Sequence, residues 1–187
     1  GLESADDNIR KNTINKGFNF LDYKKASEIL KQNNIKLKTY ILIKPPNLTE
    51  KESIDDAINT VKKIKEMTDT ISFNPCTVQK RTYVEYLWKQ RKYRPPWLFS
   101  IVKILKESKK IVGNKVRIKI DVTGGGKIRG AHNCRDCDKK YLKAISDFSL
   151  NQDIKIFGNL NCLCYEKWKD QLELEGLGYG SLVNMYG

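Results

Sequence analysis

Two apolar runs cut off by prolines, with one amphipathic helix between them, do most to constrain how this chain folds. Ile35 to Ile43 alternates Ile35, Leu37, Thr39, Ile41 and Ile43 before turning fully apolar, and Pro45-Pro46 closes it. Thr70 to Phe73 is a second, shorter run, ended by Asn74-Pro75. Such runs read as buried strands, and proline cannot continue the ladder. In between, Thr49 and Glu52 form a capping box, followed by Ile54, Ala57, Ile58, Val61 and Ile64 at helical spacing. An earlier helix starts near Asn19 and is expected to bury Leu21, Ala26, Ile29 and Leu30, and a short one precedes it from Asp6 to Ile14. Helix, strand, helix, strand with short connections is the rhythm of a parallel α/β layer or barrel. Two strands cannot form such a sheet alone. Gly1-Leu2-Glu3-Ser4 reads as the tail of a preceding strand, so residues upstream are expected to complete the sheet.

Beyond Cys76 the rhythm changes. Helices are expected around Tyr83 to Lys89, from Trp97 to Lys110 after the stiff Pro95-Pro96 break, near Lys139 to Phe148, and from Cys164 to Leu174. Val116 to Val122 alternates like a half-exposed strand. Three regions follow: 1–80, an α/β part; 81–122, a connector; and 123–187, a small α+β region around the cysteines.

Charge is concentrated in the connector. From Lys80 to Arg129, fifteen Lys or Arg face three acids, so this stretch carries +12 of the chain's +13. It is interleaved with Tyr83, Tyr86, Trp88, Tyr93, Trp97 and Phe99. A basic, aromatic segment suits a phosphate-backbone partner, with Lys89, Arg91, Lys92 and Arg94 as the candidate nucleic-acid contacts. The alternative is a solvated basic face, as Lys62, Lys63 and Lys65 show the same habit elsewhere. The longest apolar runs fall far short of the ~20 residues that span a bilayer, so no membrane partner is expected.

Five cysteines, an odd number, do not suit a disulfide-stapled secreted domain, which points to a reducing cytoplasm. Cys134 and Cys137 form a CxxC, and Cys162 and Cys164 a CxC. Two close thiol pairs can supply a tetrahedral set of soft ligands, and a closed set of four makes a structural zinc site. His132, two residues before Cys134, is a candidate to replace one thiolate. Buried free thiols or redox-active pairs are the alternatives. Gly124-Gly125-Gly126-Lys127 lacks the full phosphate-loop spacing and reads as a turn.

Taken together, several segments resemble one family. Gly1-Leu2-Glu3-Ser4, Asn15-Lys16-Gly17, Lys44-Pro45-Pro46, Leu48-Thr49-Glu50, Asn74-Pro75, Val78-Gln79, Leu87-Trp88, Tyr93-Arg94-Pro95-Pro96-Trp97 and His132-Asn133-Cys134 are similar to the archaeosine-forming radical SAM enzymes, themselves related to the elongator catalytic subunit. The resemblance reaches from Gly1 to about Trp168. It implies the later half of a partial (β/α) barrel with a C-terminal zinc-binding appendage. The reaction it implies is radical cleavage of a lysine-modified deazaguanine in the tRNA D-loop, leaving archaeosine. The implied cofactors are S-adenosylmethionine and a [4Fe–4S] cluster, and the implied partners are tRNA and the lysine-transferring archaeosine synthase. By this analogy Glu3 and Ser4 reach the cofactor's ribose or amino group, and Lys44 and Asn74 complete its pocket or the substrate's. The CxxxCxxC that holds a radical SAM cluster is not found in this sequence, so its ligands are expected outside this chain. Two rival functions stand beside this one: a non-enzymatic, zinc-containing RNA-binding module, and another radical SAM RNA modifier.

Overall fold

The computed structural model describes residues 1–178. Three parallel strands, β1 (Lys38–Ile43), β2 (Thr70–Pro75) and β3 (Arg117–Ile120), form one sheet in the order β1-β2-β3. Strand order follows chain order because each connection is a helical crossover. Glu3 adds a parallel bridge outside β1: its N–H donates to Tyr40 O, and its carbonyl accepts from Leu42 N, both at 2.9 Å. The expected strand tail at Gly1–Ser4 is thus seated on the sheet edge.

Helices precede, connect and follow these strands. α1 (Asp7–Ile9) runs into a π-turn at Arg10–Ile14, α2 (Phe20–Gln32) precedes β1, and α3 (Glu50–Ile64) links β1 to β2. α4 (Tyr83–Lys89) and α5 (Leu98–Val112) link β2 to β3; α6 (Asp138–Asn151), a 3₁₀ turn (Ile154–Phe157) and α7 (Cys164–Gly178) follow. Both Asn19–Asp22 and Thr49–Glu52 close reciprocal capping boxes, which fixes where α2 and α3 begin.

The sheet's two faces differ. Thr39, Ile41 and Ile43, Ile71 and Phe73, and Ile118 are all buried at alternate positions, the five apolar ones in one cluster with Ile54, Ala57, Val61 and Ile64 of α3 and Ile101, Ile104 and Leu105 of α5. On the opposite face stand Lys38, Tyr40 and Leu42, Ser72 and Asn74, and Lys119, a far more polar set.

α2 departs from its expected packing. Leu21 and Ile29 are 56% and 59% exposed and Ala26 is also exposed. The side turned inward is Phe20, Tyr23, Ser27 and Leu30, an equally regular helical stripe. On that side Phe20 and Tyr23 pack against the core, Tyr23 Oη is hydrogen-bonded to Thr39 Oγ1 at 2.7 Å, and the buried Arg10 guanidinium faces the Phe18 and Phe20 rings. Region boundaries are crossed as well. β3 lies in the 81–122 stretch yet pairs with β2, and one apolar cluster runs from Leu2 to Trp168.

Candidate functional site

All strands being parallel, their carboxyl ends lie along one edge, where ligands gather in open α/β folds. Asn74 stands level with Asp121 there, because Phe73 pairs with Ile120 and Asp121 N donates to Phe73 O at 3.0 Å. A cavity of about 450 Å³ opens at this point, lined among others by Asn74, Gln79, Asp121, Thr123, Lys127 and Arg129. Thr123 donates to Asp121 through both its N–H and its hydroxyl, holding that carboxyl below the usual range. The glycine run forms a built turn rather than a phosphate loop: Gly124 and Gly126 adopt φ of 76° and 74°, and Gly126 N donates to Ala131 O at 2.8 Å. Asp121 and Thr123 stand in no motif of the sequence, while Lys127 stands out only at the end of the glycine run and Gln79 only in the Val78-Gln79 pair. Asp121 falls inside the expected strand Val116 to Val122, whereas β3 ends at Ile120 and leaves Asp121 just past the strand end.

The other three strand-end residues do not share this cavity. Glu3 lies at a positive φ of 68°, its carboxylate 3.2 Å from Lys16 Nζ. Ser4 is fully buried, and its hydroxyl donates to Asp56 at 2.6 Å and accepts from Asp6 N. Lys44 is buried too, its ammonium 2.6 Å from Glu50 Oε2. Glu50 Oε1 in turn accepts from Trp97 N and Ser100 Oγ, and Ser100 Oγ accepts from Trp168 Nε1. Tyr93 donates to Lys44 O at 2.8 Å. This network ties the end of β1 to the first turns of α3 and α5 and to α7. A second cavity, about 530 Å³, lies beside it, lined in part by Lys44, Arg91, Lys92, Tyr93 and Glu175.

The connector residues divide. Lys89, Arg91 and Lys92 are exposed. Arg94 is half-buried and committed within the fold: it donates to Pro95 O, His132 O and Asn133 O, and its guanidinium lies 3.8 Å from the Trp97 ring centroid. The Tyr-Arg-Pro-Pro-Trp segment is therefore a junction between β1, α5 and the cysteine region.

That region gathers four thiols. Cys134 and Cys137 lie in the loop entering α6, while Cys162 and Cys164 lie at the start of α7. Sulfur separations of 3.4 to 3.8 Å join Cys134, Cys137, Cys162 and Cys164, and all four lie within 4.8 Å of one another. A tetrahedral ion with metal–sulfur bonds of ~2.3 Å places its sulfurs roughly 3.8 Å apart, so the set fits one mononuclear metal. Burial pushes the Cys137 thiol up to about 11 and the Cys164 thiol higher still, whereas the Cys164 N–H holds Cys162 down. Four thiols this close can ionise together only around a cation. His132 lies outside the group, with its Nδ1 on Gly130 O at 2.7 Å. Cys76 is elsewhere, buried beside Tyr93 with its thiol pushed up by desolvation. Among the described residues, no helix is long and apolar enough to cross a membrane.

No protein-family model matches the chain. It is 40% identical over 183 residues to archaeosine synthase subunit beta of Methanosarcina acetivorans, covering 98% of this chain and 53% of that protein. With the protein of the same name from Thermococcus kodakarensis it shares 43% identity over 170 residues, covering 90% of this chain and 52% of the relative. The chain thus spans about half the length of the curated relatives it matches, and it is homologous to that half. Among solved structures, the archaeal Methanocaldococcus infernus Elp3 with an N-terminal deletion superposes with a TM-score of 0.55 at 19% identity, covering 76% of this chain and 34% of that one. At that identity the likeness is one of fold.

Proposed function

We propose that this homologue of archaeosine synthase subunit beta is the later part of a radical SAM tRNA-modifying enzyme that forms archaeosine from a lysine-modified deazaguanine by radical C–N cleavage. One observation carries this most: a parallel sheet whose apolar face is covered by α3 and α5 keeps a more polar opposite face, with Asn74 and Asp121 at its carboxyl end. Parallel sheets are ordinarily covered on both sides, and a polar inner face suits the lumen of a partial (β/α) barrel closed by further strands beyond Glu3.

S-adenosylmethionine and its [4Fe–4S] cluster would supply the radical, the cluster ligands lying outside this chain. The residues at hand have simpler tasks. Asn74 and Glu3 offer polar side chains at strand ends for the cofactor or the modified base. Ser4 and Lys44, both buried, hold those ends in place through Asp56 and Glu50. Lys89, Arg91 and Lys92 meet tRNA phosphates. The four cysteines hold zinc as a structural ion, since a soft, closed tetrahedral set has no open position for chemistry. A cytoplasmic tRNA and the lysine-transferring synthase are the partners this implies.

The rival, a zinc-containing RNA-binding module without catalysis, is favoured by the thiol knot and basic connector but leaves the Asn74–Asp121 cavity without a role. Incubating the full-length protein with S-adenosylmethionine, a reductant and tRNA bearing the lysine-modified base separates the two. Formation of 5′-deoxyadenosine together with archaeosine supports the enzyme. Tight tRNA binding with neither product supports the module.

A further inference from the structure

We propose that Tyr83 and Tyr86 form a stacking platform for an unpaired RNA nucleobase at the mouth of the sheet's carboxyl edge. The proposal rests on the RNA reading above and adds to it a contact of a different kind. α4 turns Val84 and Leu87 inward against Cys76, Val78 and Tyr93. Tyr83 and Tyr86, three positions apart, consequently share the outer face, 53% and 58% exposed. Their rings are stacked, with centroids 6.4 Å apart and planes 18° from parallel. Two large aromatic rings held side by side in water present flat faces on which a further planar ring can stack.

Charge identifies that partner. Lys80 and Arg81 precede α4, and Lys89, Arg91 and Lys92 close it; all five side chains are exposed. Lys89 has Glu85 at 3.6 Å, but an apolar protein surface would leave the other four cations unanswered, whereas a nucleotide offers a flat base to the rings and phosphate to the lysines and arginines. Position agrees as well. The Tyr83 hydroxyl donates to Asn47 Oδ1 just after β1, and α4 itself follows the carboxyl end of β2. Arg129, which lines the Asn74–Asp121 cavity, packs over Trp88 of α4 at 4.7 Å and pairs with Glu85 at 2.8 Å, which fixes the helix against that cavity. A base resting on the two tyrosines would accordingly belong to a strand entering or leaving the cavity.

The test uses a short single-stranded RNA carrying one 2-aminopurine, whose fluorescence is quenched on stacking. Wild-type protein should bind it and quench it. Tyr83→Ala/Tyr86→Ala should weaken binding roughly 5- to 100-fold and abolish quenching while leaving the salt dependence unchanged, because stacking of one base carries an effect of that order and involves no counterions. Tyr83→Phe/Tyr86→Phe should retain both binding and quenching. Lys89→Gln/Arg91→Gln/Lys92→Gln should flatten the salt dependence but keep the quenching. Retained affinity and quenching in the folded double-alanine variant would overturn the platform while leaving RNA binding standing. So would salt-dependent wild-type binding without quenching. No RNA binding by the wild type would overturn the platform and the RNA reading together.

Discussion

Asn133 Nδ2 donates to the Cys137 sulfur at 3.4 Å while its Oδ1 accepts from the Leu98 and Phe99 N–H groups. One side chain thereby caps α5, whose own N-cap residue Trp97 supplies no side-chain bond, and orients a thiol of the cysteine knot. The purified protein should carry about one zinc per chain by elemental analysis. Cys134→Ser or Cys162→Ser should lower both metal content and melting temperature, Asn133→Ala should weaken metal binding ~10- to 100-fold, and Cys76→Ser and His132→Ala should leave the metal in place.

The Lys44–Glu50 pair predicts an asymmetric response. Glu50→Ala leaves the buried Lys44 ammonium with only the more distant Glu175 carboxylate, 3.9 Å away, and removes the acceptor for Trp97 N and Ser100 Oγ, so it should cost on the order of 3 kcal/mol by urea denaturation. Replacing both Lys44 and Glu50 by apolar residues should cost less than Glu50→Ala alone, since no buried charge is then left without its close partner and Glu175 keeps access to solvent.

Much of this was legible in the residues and some was not. Local rules settled α3, where Thr49, Glu52 and the Ile54–Ile64 periodicity agree, and the pairing of the four cysteines needed only their spacing. The burial side of α2 was not legible, because Leu21–Ala26–Ile29 and Phe20–Tyr23–Ser27–Leu30 are both regular stripes; tertiary partners distant in sequence, among them Thr39 and the core beneath Phe20 and Tyr23, go with the second. Lys44 posed a similar problem. A lysine at a strand end reads as a free ligand until Glu50, six residues on, is seen to claim it. Asp121 was hidden for another reason: its alignment with Asn74 depends on the register of β3, which is a tertiary property.

Asp56 sets a pH dependence. Burial, with Asp6 adding to it, pushes its carboxyl up to about 6 despite the Ser4 hydrogen bond and the charges of Lys63 and Arg10. A carboxyl raised in the folded state contributes stability that is fully present below the unfolded value near ~4 and lost as pH rises through about 6. Asp56→Asn should therefore be relatively more stable than wild type at pH 7 to 8, with the difference shrinking through pH 6 and gone near pH 4. Denaturant midpoints measured across that range check it.

The connector should show its charge in salt dependence. If Lys89, Arg91 and Lys92 each meet a phosphate, neutralising all three should flatten the log–log dependence of tRNA affinity on salt by about two to three, without unfolding the protein. Arg94→Ala should behave otherwise and lower the melting temperature, because its guanidinium bonds His132 O and stacks on Trp97; Arg94→Lys should not restore it.

The most direct test of the central claim is the turnover of Asn74→Ala in the full-length protein, measured as archaeosine formed per enzyme by nucleoside mass spectrometry. Asn74 lines the cavity at the carboxyl edge without belonging to the buried core, so the variant should keep its melting temperature, metal content and tRNA affinity while losing turnover at least ~10-fold. Unchanged archaeosine formation by a folded Asn74→Ala protein would contradict the proposed role of Asn74 in offering its side chain to the cofactor or the modified base.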